Sequence, residues 1–326
     1  MITNRTGFFL LLILFQIFTA AAFAEVTAQN QFFPVATFKP GAEADQLMWL
    51  VTETGGVPDG PFQGPMAFLT DKNGNFWIAD TLNACIKAFD KNAKLRRKID
   101  LIELGKKLKL ASDPVMLDMI PGSNGRLLVA DAANNLVIEV DVRGKDARVL
   151  PPASAGRGHW RQINRIHCDR NGKVYIEDLL SMRTVILNAD GEPGLTLEGE
   201  VGIAIDSDGK AAMIVMDTKD PKTRHVAKSS VHGSPVEKFA GFTADKPVLW
   251  SSVIGFDQNK NLYTIFDTEF IRNYVVFAPD GSIVSHKTTA FPDPGYDPNR
   301  PDWISPDGAI YTVRITAGSL QILRLK

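Results

Sequence analysis

The sequence predicts an all-β chain folded as a six-bladed β-propeller of four-stranded antiparallel blades, the last blade closed by an N-terminal strand. Two repeats and one leftover strand carry this expectation. An apolar strand ending in an acid recurs as FWIAD at Phe76–Asp80, LLVAD at Leu127–Asp131, VYIED at Val174–Asp178, MIVMD at Met213–Asp217 and YTIFD at Tyr263–Asp267. A sixth copy, IYTVR at Ile310–Arg314, ends in Arg. Successive final residues are 51, 47, 39, 50 and 47 positions apart, a period suited to sheet-based repeats. A turn dipeptide recurs in step at Asn73-Gly74, Asn124-Gly125, Asn171-Gly172, Asp208-Gly209, Asn259-Lys260 and Asp307-Gly308. Asn-Gly and Asp-Gly favour two-residue type I′ hairpins, whose central residues both need positive φ. Four short strands per unit, with middle strands apolar on both faces, fit blades packed face to face around an axis.

The first unit, at residues 64–100, is the clearest copy. Its strands are expected at Pro65–Thr70, Phe76–Ala79, Cys85–Phe89 and Leu95–Asp100. The other inner strands are expected at Pro114–Met119, Ile163–Cys168, Val201–Asp206, Ser252–Asp257 and Arg300–Ser305. The fourth unit is the poorest copy, with a polar hairpin containing Pro221. The sixth runs out after three strands, so an upstream strand must complete it and protect its open edge. The apolar stretch QLMWLVT at Gln46–Thr52 is the expected closing strand, with Gln31–Lys39 along the outside of the ring.

Composition is that of an ordinary globular chain, 44% hydrophobic and 22% charged. A formal net charge of -1 gives no global attraction to nucleic acid. Arg5, the apolar run Phe8–Phe18 and the small-residue site Ala22-Phe23-Ala24 read as a signal peptide over residues 1–24. An uncleaved anchor is the alternative. Cleavage near Ala24 places the mature chain in the periplasm or outside the cell, with no membrane attachment. An N-terminal extension is expected over residues 25–44 and the propeller over 45–326. The two cysteines, Cys85 and Cys168, fall on strands of different units, too far apart to bridge, and are expected as buried free thiols.

The blade sequence resembles the NHL-repeat propellers. The match rests on Pro65-Met66-Ala67-Phe68, Asp71, Gly74, Trp77-Ile78-Ala79-Asp80, Asn83 and Ile86–Asp90, preceded by Asp59-Gly60-Pro61-Phe62. The second unit follows through Val129-Ala130-Asp131-Ala132 and Asn134, and the later units match more loosely. The resemblance implies blades; it assigns no chemistry.

The repeated acids Asp80, Asp131, Asp178, Asp217 and Asp267 are read as structural, because an Asp at a strand end accepts hydrogen bonds from the next turn. A functional site needs residues that differ between blades. These cluster in the long handover loops around one mouth of the channel: His159, Trp160, Arg161, Asn164 and Arg165; Trp250 and Ser252; Asp302 and Trp303. Arginine among aromatic and polar groups suits a polar or anionic ligand. His167, on an inner strand, is read as a satisfied core histidine. The basic run from Lys87 to Lys109 is read as a charged outer strand and its exit loop.

Two functions compete. One is a binding scaffold, expected as a monomer, that holds a protein, a glycan or a small polar ligand at the mouth. The other is an enzyme. Gluconolactonase-like and paraoxonase-like lactonases are similar in build and hold calcium at the mouth on Glu, Asn and Asp oxygens. The matching first-blade position here is Gly64-Pro65-Met66, without the Glu, which leaves Asn164 and Asp302 as the only candidate ligands. NHL-like peptidylglycolate lyases hold zinc on several histidines; here only His167 lies on an inner strand. No catalytic signature is present, so the binding scaffold is the expectation.

Overall fold

A computed structural model describes residues 32–50, 52, 62–151, 160–230, 237–290, 298–316 and 318–326. The signal peptide expected at residues 1–24 and His159 lie outside the described residues. Among the described residues no helix is long and apolar enough to cross a membrane.

Six four-stranded antiparallel sheets form the ring. The first strand, β1 (Phe32–Phe38), belongs to the last blade. Blade 1 is β2 (Ala67–Thr70), β3 (Phe76–Asp80), β4 (Cys85–Phe89) and β5 (Leu95–Asp100). Blade 2 is β6 (Met116–Pro121), β7 (Arg126–Asp131), β8 (Leu136–Asp141) and β9 (Ala147–Leu150). Blade 3 is β10 (Ile163–Cys168), β11 (Val174–Asp178), β12 (Arg183–Leu187) and β13 (Pro193–Glu198). Blade 4 is β14 (Ala204–Ile205), β15 (Lys210–Met216), β16 (Thr223–Ser230) and β17 (Glu237–Thr243). Blade 5 is β18 (Trp250–Phe256), β19 (Leu262–Asp267), β20 (Ile271–Phe277) and β21 (Ile283–Ala290). Blade 6 is β22 (Asp302–Ile304), β23 (Ile310–Thr316) and β24 (Ser319–Leu325), with β1 as its outer strand.

The core is divided among the gaps between blades, one apolar cluster in each. Leu69, Ile86, Met119 and Val129 fill the gap between blades 1 and 2. Ile120, Leu128, Ile166 and Ile176 fill the next. Phe242, Phe266 and Phe277 join blades 4 and 5. Such packing needs both faces of the middle strands to be apolar, which is the pattern the repeat shows.

Two sequence expectations are corrected at the ring closure. The closing strand is β1, paired antiparallel with β24 from Phe32↔Leu325 to Phe38↔Leu320. The propeller therefore starts at Phe32 instead of residue 45. The described residues of the Gln46–Thr52 stretch, Gln46–Leu50 and Thr52, belong to no strand; Leu47 and Trp49 are buried between blades 6 and 1. Lys87 fixes that segment. Its ammonium, wholly buried, sits 2.9 Å from Asp80 and donates to the carbonyls of Glu43 and Gln46. Lys87 is thus the one member of the basic run that leaves the surface. Gly41, at φ 147°, lies where a Cβ would collide with the Gln46 side chain.

The hairpin turns also differ from expectation. Asn73, Asn171, Asp208 and Asp307 do not have positive φ, whereas the following Gly74, Gly172, Gly209 and Gly308 do. A side-chain acceptor ahead of the turn explains this, an acid in each of these blades but blade 6, where Ser305 Oγ accepts from the Ala309 N–H. Asp71 Oδ1 accepts from the N–H groups of Asn73 and Asn75, and Asp169, Asp206 and Asp257 repeat the arrangement. The side chain holds a tight right-handed turn, and only its last residue must be left-handed. Blade 2 lacks that acid, and there both Asn124 and Gly125 are left-handed.

The basic run holds a helix in place of an exit loop, α1 (Leu101–Leu108), capped by Asp100 through the Glu103 N–H at 3.0 Å. Cys85 and Cys168 are free, the first buried and the second half-buried. Burial pushes both thiols up to about 12, which leaves them unreactive at neutral pH.

Candidate functional site

Each blade turns from its second to its third strand, and hands over to the next blade, on the same face of the ring. A cavity of about 890 Å³ opens there, walled by residues from all six blades. Blade 3 gives Arg161, Asn164, Arg165, Glu177 and Leu179. Phe62 and Met66 come from blade 1, Leu117 and Asn135 from blade 2, and Gly202 from blade 4. Trp250, Ser251 and Ser252 come from blade 5, with Pro298, Asn299 and Pro301 ahead of β22.

The strand-end acids build this rim. Asp178 accepts from the N–H groups of Arg161 and Gln162, both at 3.0 Å, and so fixes the start of blade 3. Asp131 does the same for Val115 at 3.0 Å, and Asp80 for Met48 at 3.1 Å. Asp267 departs from the pattern and pairs with Arg272 at 2.8 Å.

Beneath the rim lies a buried ionic floor. Arg300 donates to both oxygens of Asp118, at 2.8 and 2.7 Å, and to Ile166 O at 3.1 Å. Asp118 also accepts from Ile166 N–H at 2.9 Å, and Arg300 N–H donates to Met66 O at 3.1 Å. Four blades are thereby tied across the channel. Burial raises the Asp118 carboxyl, but Arg300 and the Ile166 N–H outweigh it and hold it below the usual range.

Arg165 stands next to that pair and faces the cavity. Its Nε and Nη2 donate to Asn299 O at 3.3 and 3.0 Å. Among the described residues no carboxylate lies within ion-pair distance of it. Burial and the neighbouring Arg300 lower its pKa, and an Arg remains charged at such a site. Glu177 is fully engaged elsewhere: it meets His167 Nε2 at 3.1 Å and accepts from Gly202 and Ile203 N–H, each at 3.1 Å. Burial raises it, and His167 with Arg165 brings it below the carboxylate range.

Of the residues singled out in the sequence, Arg161, Asn164, Arg165, Trp250 and Ser252 meet in the cavity wall. Three do not. Trp160 is buried between blades 2 and 3, its indole N–H donating to Asn135 O at 3.0 Å. Asp302 is buried against Tyr274 Oη at 3.2 Å and Arg272 at 3.5 Å. Trp303 lies under the cavity, packed on the clusters between blades 6 and 1, 1 and 2, and 2 and 3. To reach all three from blade 6 its side chain extends toward blades 1, 2 and 3. The sequence reading passed over Asp118, Glu177, Asn299 and Arg300. A charged residue inside an expected inner strand, as Asp118 and Arg300 are, was the available signal.

The described residues do not form a calcium set. Asp302 is held by Arg272 and Tyr274, Asp118 by Arg300, and Glu177 by His167 and two N–H groups. An incoming cation would face Arg165 and Arg300. Among the described residues no group of three His, Cys, Asp or Glu side chains is placed to hold a metal ion.

No family model matches the chain, and no curated protein matches it. Solved structures do. A streptogramin B lyase aligns with a TM-score of 0.50 at 11% identity, over 92% of this chain and 99% of that one. A gluconolactonase from Xanthomonas campestris gives 0.49 at 11% identity, over 92% and 99%. A calcium-binding regucalcin from Agrobacterium tumefaciens gives 0.46 at 12%, over 80% and 92%. At this identity the likeness establishes architecture alone: the chain is a six-bladed all-β propeller.

Proposed function

We propose that this chain is an exported, monomeric binding propeller of NHL type whose mouth captures an organic anion, with Arg165 as the charged anchor. The single observation that carries the reading is a guanidinium in the cavity wall with no carboxylate partner among the described residues. A buried charge is costly unless paired, so a site that keeps one exposed to a cavity favours a ligand of opposite sign. Asn164, Asn299 and Ser252 supply further polar atoms near it, and Trp250 and Leu179 supply apolar wall. The blade signature at Trp77–Asp80 and Val129–Asp131 supports the NHL placement, and the segment at residues 5–24 supports export.

Titration with butyrate, succinate and inorganic phosphate tests it. Arg165→Ala is expected to weaken the best of these by roughly tenfold to a hundredfold, the worth of one charge-assisted hydrogen-bonded contact. Equal binding by wild type and variant moves the site away from Arg165.

The competing reading is a calcium-dependent lactone hydrolase or lyase. Elemental analysis of the purified protein, with melting curves in the presence and absence of chelator, separates the two. The expected result is no stoichiometric calcium and no chelator effect. One calcium per chain, with a melting temperature that falls on its removal, replaces the binding scaffold by the enzyme.

A further inference from the structure

Large apolar side chains are exposed unevenly. Leu180 and Met182 in the β11–β12 turn, Met216 at the end of β15, Leu249 and Trp250 at the start of β18, and Phe270 in the β19–β20 turn all stand on the mouth face. They belong to three consecutive blades, and Leu249, Met216 and Leu180 are 70%, 68% and 64% exposed. Among the described residues blade 1 adds only Leu82, in its β3–β4 turn, with Leu50 in the segment ahead of it; Leu195, Ile283 and Val284 sit on outer strands.

The patch is continuous with the cavity. Trp250 belongs to both, and Leu179, next to Leu180, is cavity wall. Leu249 N–H donates to Asp267 O, three residues before Phe270. Met216 pairs in register with Arg224, whose guanidinium donates to Val248 O. Met216, Leu249 and Phe270 are thus set on linked segments of blades 4 and 5. An apolar area of this kind beside a pocket marks a binding surface.

The charges choose among occupants. On the rim they are mostly balanced: Lys246 meets Glu269 at 3.8 Å, Arg183 meets Asp178 at 3.4 Å, and Lys219 and Lys222 follow Asp217 and Asp220. Such a rim offers an anionic bilayer little net attraction. The positive charge faces the cavity, at the half-buried Arg165, with the exposed Arg161 nearer the solvent. A cationic wall followed outward by an apolar band is the complement of a single-chain amphiphile. We infer that the mouth binds a long-chain carboxylate, its head on Arg165 and its hydrocarbon chain on the band formed by Leu179, Leu180, Trp250 and Leu249. This inference rests on the anion-binding reading above and names its ligand class.

The experiment titrates butyrate, octanoate and dodecanoate into wild type, Arg165→Ala and the triple variant Leu180→Ser/Leu249→Ser/Phe270→Ser. The three substituted side chains are exposed and lie outside the cavity wall, so the fold is retained. Each methylene fully buried tightens binding about fourfold, so dodecanoate should bind at least a hundredfold more tightly than butyrate. The triple variant should hold butyrate as wild type does and lose at least tenfold on dodecanoate. Affinity independent of chain length, or a triple variant indistinguishable from wild type, overturns the long-chain ligand and leaves the small-anion site standing. Failure of butyrate and octanoate to bind at all overturns both. Capture of phosphatidylcholine vesicles by wild type and Arg165→Ala, but not by the triple variant, assigns the band to a bilayer and also overturns the inference.

Discussion

Arg300→Ala is expected to destabilise the protein by about 3–5 kcal/mol, because it strands the Asp118 carboxylate in the interior. The corresponding fall in melting temperature is on the order of 10 °C. Asp118 is wholly buried, and among the described residues only the Ile166 N–H and its own neighbour Met119 N–H reach it besides Arg300. Asp118→Ala should cost a similar amount, since it leaves Arg300 unpaired. The double variant Asp118→Leu/Arg300→Met should cost less than either single change, because no charge remains without its partner. Thermal and denaturant unfolding of the four proteins decides it; an Arg300→Ala loss below about 1 kcal/mol would remove the pair from the account of ring closure.

The same pair sets an acid dependence. Its folded pKa is depressed, so its stabilisation is complete above the unfolded carboxylate value of about 4 and is lost as pH falls below it. Asp267 and Asp302 are raised by burial and act with the opposite sign. The difference between wild type and Asp118→Asn isolates the pair: the gap should be widest near neutral pH and close on acidification.

Trp303→Ala carries the other large effect, about 2–4 kcal/mol of stability, toward the low end for truncating an aromatic because Trp303 is only half-buried, although it bridges several clusters. The sequence placed this residue among the ligand contacts; in the structure it packs on inter-blade clusters outside the cavity wall, so its loss is expected to cost stability. Trp303 offers a sharper comparison through Trp303→Phe. Its indole N–H is buried and has no hydrogen-bond partner among the described residues. Phenylalanine removes that unmet donor while keeping most of the packing, so Trp303→Phe should lie within about 1 kcal/mol of wild type. Melting curves of both variants, with anion titration of the folded Phe variant, separate a packing residue from a ligand contact.

The candidate site was half legible. Arg161, Asn164, Arg165, Trp250 and Ser252 were found because the handover loops after blades 2 and 4 are long and carry unrepeated residues, and chain length fixes which end of a blade a loop occupies. Asp302 was misplaced because a carboxylate beside a loop reads the same whether it faces solvent or Arg272. Asp118 and Arg300 were missed because each looks like one surface charge until the ring brings positions 182 residues apart into contact.

What the sequence determined by itself was local. Strand alternation, the turn residues and the acid at each strand end repeat in every good copy, so they can be read unit by unit. They specify six blades and the face on which the loops gather. Tertiary structure decided everything that depends on choosing between equivalent partners. Phe32–Phe38 and Gln46–Thr52 are both apolar and both reach the open blade. The first wins because it hydrogen-bonds along the whole of β24, while Lys87 holds the second down and buries Leu47 and Trp49. The cationic cavity is of the same kind. It exists because Asp118 and Glu177 already have partners and Arg165 has no carboxylate partner among the described residues, and a count of charges along the chain contains no record of which are paired.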